Sequence, residues 1–367
     1  MRLKLSVIIL SYNVQHFLHL CLNSVQKAIA DIDAEIIVID NNSSDDSCRM
    51  VQQYFPEVKL LQNQENLGFA KANNQAAKHA TGQYICILNP DTVVAEDTFV
   101  KLLEFCKNTT NLGAVGCKLV DGKGEFLPES KRNLPVIKVA LNKQMGNDEL
   151  YYANQVQTIE TAKVPVLVGA FMFLERNVFD KMGGFDEDYF MYGEDIDLSY
   201  RLLNSGRDNF YFANTTVIHF KGESTSKNKE YARRFYGAMQ IFYKKHFKTN
   251  WFDNALIGLG VKLASLMRKD TSKVDEMVSS YLVVSNRQFT SLESVVVKPI
   301  KYVTQLSLVS PGTEIIFDAE FINYQNIITY MIDPTINYNA TFKIIPPGTT
   351  FCVGSNSSKS QGRVIEF

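Results

Sequence analysis

Three stretches early in the chain share one design that few folds accommodate. Leu5 to Leu10 (LSVIIL) runs into Ser11, Tyr12 and Asn13. Glu35 to Ile39 (EIIVI) runs into Asp40, Asn41, Asn42, Ser43, Ser44 and Asp45, and Tyr84 to Leu88 (YICIL) runs into Asn89, Pro90 and Asp91. Unalternated, β-branched runs of this kind suit strands buried on both faces, which is the habit of parallel sheets. Helical patterns lie between them at His16 to Ala30, Asp45 to Tyr54 and Ala70 to Ala80, with a shorter strand at Val58 to Gln62. The alternation predicts an open, doubly wound α/β sheet. Parallel strands all point one way, so the polar clusters gather along one edge, where ligands of such sheets bind. Asn13, Asp40 and Asp91 are therefore expected to be neighbours.

The later chain divides by character. Leu112 to Gly124 reads as strand and turn, and the polar stretch to about Gln157 reads as a long loop over the site rather than core. Val164 to Leu174 reads as a buried strand interrupted by Gly169, Gly193 to Asp197 opens a helix through Leu203, and Asn214 to Phe220 is a strand carrying His219. Beyond Lys221 come a basic, aromatic-rich helix at Glu230 to Lys248 and a short apolar one at Trp251 to Met267, flanked by Lys244, Lys245, Lys248, Arg268 and Lys269. That pair fits either a membrane-interfacial anchor or ordinary helices packed between domains. Strands at Tyr281 to Val284, Glu314 to Phe317, Thr341 to Ile345 and Phe351 to Gly354, with a helix at Tyr324 to Ile332, make a second small α/β unit. The division is 1–229 for the large α/β unit, 230–276 for a helical linker and 277–367 for the small unit, which 367 residues with 46% hydrophobic content can support.

A formal net charge of -1 gives no bulk attraction for nucleic acid, and none is expected as a partner. The cysteines at 21, 48, 86, 106, 117 and 352 form no CxxC pair, so they are read as free thiols in a reducing compartment. Met1 to Leu10 leads straight into patterned α/β sequence without a small-residue cleavage site, and no apolar stretch reaches bilayer-spanning length. The expectation is a cytoplasmic protein able to sit on the inner face of a membrane. Its oligomeric state is left open.

Three groups carry chemistry. Asn89-Pro90-Asp91 ends a strand, where a carboxylate can hold a divalent cation bridging two phosphates; it is also an ordinary turn. Gly193-Glu194-Asp195-Ile196-Asp197 places three carboxylates at a helix start, more than a cap requires, and one can take a proton from an attacking hydroxyl. His219 is structural if alone and a metal ligand if Asp91 lies beside it.

These residues resemble glycosyltransferase family 2, with its GT-A fold, and especially its rhamnosyltransferase-like branch. The resemblance rests on SVIILSYN (Ser6 to Asn13), VIDNNSSDDS (Val38 to Ser47), NLGFAKANNQA (Asn66 to Ala76), LNPDT (Leu88 to Thr92), GGFDEDYFMYGEDIDLSYRL (Gly183 to Leu202) and the late His219. It implies an inverting transferase that moves a sugar from a nucleotide-diphosphate donor, dTDP-rhamnose or a UDP-sugar, to a hydroxyl of a glycan or lipid-linked acceptor in bacterial surface polysaccharide synthesis. By the same resemblance Ser11, Tyr12, Asn13 and Asp40 hold the nucleoside, and Asn66, Gly68, Asn73 and Asn89 complete the donor pocket. Asp91 and His219 bind Mn²⁺ or Mg²⁺, Asp195 is the catalytic base, and Glu194 orients the acceptor or that base. Asn89 stands where many relatives carry Asp, and Asn73 where many carry Arg. No QxxRW signature is present, which points to single additions rather than processive synthesis. The small unit resembles the non-catalytic Rossmann-like domain of polyprenyl glycosylphosphotransferases; Ser285-Asn286-Arg287 follows its first strand where a Gly-rich phosphate loop would stand, so no nucleotide is expected there. The rival to an enzyme is a degenerate member that binds sugar or a partner without turnover.

Overall fold

The strands of the first unit come out buried on both faces, as their composition requires. In this computed structural model, which describes residues 3–136, 139, 142, 147–221, 229–247, 278–306, 309–336, 340–356 and 362–367, the chain begins β1 (Leu5–Ser11), α1 (Gln15–Ala28), β2 (Ala34–Asp40), α2 (Ser47–Tyr54), β3 (Lys59–Gln62), α3 (Phe69–Ala77), β4 (Tyr84–Leu88) and β5 (Thr92–Val93). It continues with α4 (Thr98–Lys107), β6 (Leu112–Val120), β7 (Ala162–Lys163), β8 (Phe171–Glu175), α5 (Arg176–Lys181), α6 (Glu194–Asn204), β9 (Asp208–His219) and α7 (Lys229–His246). Val7 and Ile9 of β1, Ile36 and Val38 of β2, and Cys86 and Leu88 of β4 face one core with α1 and α4. Ile8, Ile37, Ile39, Ile85 and Ile87 face the opposite core with α3 and α6. Both faces are therefore apolar, and no alternation is left to read.

The sheet has nine strands in the order β3-β2-β1-β4-β8-β6-β9-β5, with β7 on β9. β1 is parallel to β2 and β4, with Ser11 opposite Asp40, so the carboxyl ends of these strands share an edge. Beyond β4 the sheet is mixed: β8 is antiparallel to β4 and β6, and β5 is antiparallel to β9 with Thr92 opposite His219. That last pairing brings His219 to the loop carrying Asp91, and the Phe220 N–H donates to the Asp91 carbonyl at 3.0 Å.

Three expectations need correction. The strand expected over Val164 to Leu174 begins only at Phe171. The backbone before it is drawn elsewhere, Val166 exchanging hydrogen bonds with Arg132 and the Gly169 N–H donating to Asp195 at 3.0 Å. The loop read as lying outside the core also buries Ser130, Lys131, Arg132, Tyr151 and Ala153. β9 is longer than expected, starting at Asp208.

The second unit is β10 (Ser280–Val284), α8 (Thr290–Val295), β11 (Ile300–Val303), β12 (Thr313–Asp318), α9 (Tyr324–Ile332), β13 (Thr341–Ile345), β14 (Phe351–Gly354) and β15 (Arg363–Glu366). Its sheet, ordered β11-β10-β12-β13-β14-β15, is parallel through β13 and then antiparallel. The crevice between β10 and β12 is closed by its own side chains, because Ser285 and Arg287 both donate to Asp318 there. The unit shares a core with the first. Phe17, Val93, Val120, Ile218 and Phe220 pack with Phe317, Tyr324, Ile327 and Phe342. The Glu96 carboxylate accepts the Tyr324 and Gln325 N–H groups at 2.8 and 2.9 Å, so the first unit supplies an anionic cap to α9. Of the expected linker, α7 packs Ala238, Met239, Phe242 and Tyr243 against Tyr189 and Ile196. The apolar stretch Trp251 to Met267 lies outside the described residues. Among those described, no helix is long and apolar enough to cross a membrane. All six cysteines are free.

His19 of α1 sits in this junction, packed edge-on against Phe55 and Phe351. Burial, with His16 nearby, pushes its pKa from 6.5 down to about 4. Between those values the unfolded chain binds more protons than the folded one, so stability is complete above pH 6.5 and falls as pH drops. The expected loss is about 3 kcal/mol at pH 4. His19→Leu should flatten this part of a urea-denaturation series across pH, and an unaltered slope would show that His19 is not its source.

Candidate active site

The polar ends of β1, β2 and β4, the turn after β6 and the start of α6 surround one cavity of about 310 Å³. Its floor near β4 carries Asn89, Asp91 and His219. His219 Nε2 is 3.4 Å from Asp91 Oδ1 and 3.3 Å from Asn89 Nδ2. Both Asp91 and His219 are buried, and His219 Nδ1 has no hydrogen-bond partner among the described residues. A carboxylate oxygen and an imidazole nitrogen this close fit two ligands of a divalent cation. The mixed O and N donors suit Mn²⁺ better than Mg²⁺, which prefers oxygen alone. No third His, Cys, Asp or Glu joins them among the described residues, so substrate oxygens and water would fill the other positions.

Across the cavity, Gly193 turns at φ 87° into α6, a conformation that favours glycine, and a Cβ there would meet Ala238 Cβ at 3.0 Å. The turn delivers Glu194 and Asp195, buried at 5% and 7% exposure. Asp195 takes three donors, Arg132 Nη2 at 2.6 Å and the Gly169 N–H at 3.0 Å on Oδ2, with the Ile196 N–H at 2.8 Å on Oδ1, which keeps room for a further hydrogen. Burial works against the Arg132 charge, but Asp195 and the Tyr151 hydroxyl outweigh it and leave the guanidinium harder to deprotonate. Glu194 has the opposite environment. Its Oε2 has no partner among the described residues, and burial together with the neighbouring Asp195 raises its pKa well above the carboxylate range. Asp197, the third carboxylate, points away from the cavity lining and binds Arg201 Nε and His246 Nε2, each at 2.6 Å.

The structure gathers Tyr12, Asn66, Gly68, Asn89, Asp91, Glu194, Asp195 and His219 around this cavity, but Ser11, Asn13, Asp40 and Asn73 do not line it. Asn13 braces the loop after β2, accepting the Ser44 N–H at 2.7 Å. Asp40 Oδ2 accepts the Ser43 N–H at 2.8 Å, while Asp40 Oδ1 and Ser11 Oγ are buried without partners among the described residues. Asn73 is wholly buried and bonds the Phe69 carbonyl one turn earlier in α3. The expected neighbours Asn13 and Asp40 thus share one loop cluster, and Asp91 belongs to the cavity beside it. Gly68 has a steric reason to be glycine: φ is 81°, and a Cβ would lie 2.3 Å from the Phe190 carbonyl oxygen.

Sequence reasoning missed Glu129, Arg132, Tyr151, Tyr152, Lys221 and Phe235, which also line the cavity. The signal available was the charged run Glu129-Ser130-Lys131-Arg132 within a loop rich in turn formers. Its pairing with Asp195 spans a sequence separation that no local pattern reveals.

The family model for glycosyl transferase family 2 matches residues 6–183. Among curated proteins, the chain is 28% identical over 210 residues to N-acetylglucosaminyl-diphospho-decaprenol L-rhamnosyltransferase of Mycobacterium tuberculosis, covering 53% of this chain and 68% of that protein. It is 25% identical over 228 residues to the rhamnosyltransferase WbbL of Escherichia coli, covering 58% and 82%. Among solved structures it resembles the mannosyltransferase PcManGT of Pyrobaculum calidifontis, determined with GDP-Man and Mn²⁺. The TM-score is 0.50 at 18% identity, over 72% of this chain and 73% of that one. This likeness concerns the fold, which is the expected GT-A architecture followed by a second, smaller sheet.

Removing one member of a buried ion pair strands the other. Arg132→Met should cost about 3–5 kcal/mol in urea denaturation, against near-neutral changes expected for exposed arginines. An unshifted midpoint would show that Asp195 finds its compensation elsewhere.

Proposed function

Through residues 6–183 this chain belongs to glycosyl transferase family 2, and on that premise we propose that it is an inverting, metal-dependent enzyme adding single sugars from a nucleotide-diphosphate donor to an acceptor hydroxyl. The observation that carries the reading is the facing of two pairs across one cavity, Asp91 with His219 and Glu194 with Asp195. The similarity to rhamnosyltransferases supports dTDP-rhamnose as donor, a UDP-sugar being the other candidate. It also supports a lipid-linked glycan as acceptor, and our reading places the transfer in surface polysaccharide synthesis at the cytoplasmic face of the membrane.

Donor binding falls to the edge formed by β1 and β2. Tyr12, Asn66 and Gly68 present the cavity side of this edge, and Asn13 and Asn73 hold the walls; Asp40 Oδ1 and Ser11 Oγ, buried beside the cavity without partners among the described residues, would meet a nucleoside's polar edge once the loop after β2 yields to it. Asp91 and His219 would hold the divalent cation, with Asn89 beside them, and the cation when bound neutralises charge on the diphosphate. The acceptor oxygen attacks the anomeric carbon from the side of α6. As that bond forms, the bond from carbon to diphosphate oxygen breaks, the electron pair leaves on the diphosphate, and the acceptor proton passes to the Asp195 carboxylate. Arg132 and the Gly169 N–H hold that carboxylate in place. Glu194, with its raised proton affinity, is the member of the pair suited to carry a hydrogen and donate it to the acceptor. Lys245 of α7 is bound to Asp186 and Asp188, so this part of the basic stretch serves packing on the catalytic unit.

Asp195→Asn should reduce transfer by at least about a thousandfold while leaving donor affinity within a few fold. Near-normal turnover would remove Asp195 as base. Wild-type protein should be stabilised in a thermal-shift series by one of UDP-, dTDP- or GDP-sugars with Mn²⁺ and not with EDTA, more strongly than with Mg²⁺. Asp91→Ala should lose that dependence, and a wild type indifferent to every nucleotide sugar would favour a non-catalytic binding protein.

A further inference from the structure

The cavity concentrates negative charge. Asp91, Glu129 and Asp195 line it, and a nucleotide diphosphate would bring more. Of the cations lining it among the described residues, Arg132 is committed to Asp195 within the wall, both side chains below a tenth exposed. Lys221 is placed differently. It stands two residues after His219, follows a residue whose N–H is bonded to the Asp91 carbonyl, and is about a third exposed toward the cavity. Its backbone has φ 65°, the left-handed region that a non-glycine residue adopts only where its surroundings impose it. The side chain ends on the Glu129 carboxylate, which is tucked into the turn at Pro128–Ser130. That turn is pinned to β6, because Ser130 Oγ accepts the Leu119 N–H at 3.1 Å and the Leu127 N–H donates to the Leu119 carbonyl at 2.9 Å. Glu129 is thus an anion held on a rigid element, with a flexible ammonium as its partner.

We propose that Lys221 is the protein's cation for the departing diphosphate, and that Glu129 holds it in the resting site until the diphosphate displaces that carboxylate. The inference rests on the nucleotide-diphosphate reading above and adds to it an ion-pair exchange. A lysine suits this task, since its ammonium is a point charge on a long stem that moves between two anions with little change in backbone. Glu129 prepays part of the ordering of that stem and opposes binding by competing for the same charge. The two residues therefore act with opposite sign on affinity, which a purely structural ion pair would not do.

The test is calorimetric titration of the full chain in Mn²⁺ with UDP, dTDP and GDP, each compared with its nucleoside monophosphate. Wild type should bind one diphosphate more tightly than its monophosphate. Lys221→Met should weaken that diphosphate by about tenfold or more and remove the preference, with Lys221→Arg restoring most of it. Glu129→Gln should tighten it. Unchanged diphosphate affinity in Lys221→Met, or a Glu129→Gln variant weakened alongside it, overturns the exchange while leaving the donor reading intact. A wild type that binds none of the three overturns the donor reading and this inference together. Melting temperatures of the variants, read on the same samples, separate lost affinity from lost fold.

Discussion

The concentration of buried carboxylates at one edge of the first sheet is the constraint that organises this molecule. An unpaired charge in such a place is costly, so each carboxylate has been given its own answer. Asp195 has Arg132 and two backbone N–H groups. Asp197 has Arg201 and His246, which also fastens α7 to α6. Glu129 has Lys221, and Asp91 lies beside the imidazole of His219. Glu194 has no cation of its own, and its proton affinity rises instead. The irregular backbone at 127–133 and 164–170, costly to order as loop, is held in place by these pairings and by the backbone bonds around them.

The same view explains why the second unit sits where it does. Its shared core lies behind β5 and the end of β9, the two strands that carry the neighbours of Asp91 and His219. Val93, Ile218 and Phe220 pack into the shared core, while His219 and Lys221, on either side of Phe220, line the cavity. Covering that apolar face with β12, β13 and α9 keeps the strand ends from fraying where Asp91 and His219 lie side by side. The unit's own sheet edge is closed by Arg287 and Asp318.

Legibility in the sequence followed the range of each interaction. The runs at Leu5, Glu35 and Tyr84 declared buried parallel strands, because both faces of each needed apolar side chains and local composition records that need. The polar clusters after them located the cavity edge, and Asp91, Glu194, Asp195 and His219 stood out as chemistry-bearing residues at strand or helix ends. Val164 to Ala170 misled for a physical reason: apolar side chains are required there to line the core, but the backbone hydrogen bonds go to Arg132, Asn209 and Asp195 instead of a ladder. For Arg132 the local record is only a charged run at 129–132, and for Lys221 a single basic residue after a strand; neither names a partner. Each is an ordinary basic residue until a carboxylate distant in sequence is folded against it.

What the sequence determined by itself was therefore the sheet, its direction and the edge at which polar groups collect, since these follow from periodicity and strand polarity. The tertiary structure alone decided how the charges at that edge are matched. It set Arg132 on Asp195, left Glu194 Oε2 without a partner among the described residues, tied Lys221 to Glu129 and laid the second sheet behind the strands beside Asp91 and His219. Charge compensation is a property of distances in space, and residues 63 and 92 positions apart acquire those distances only when the chain is folded.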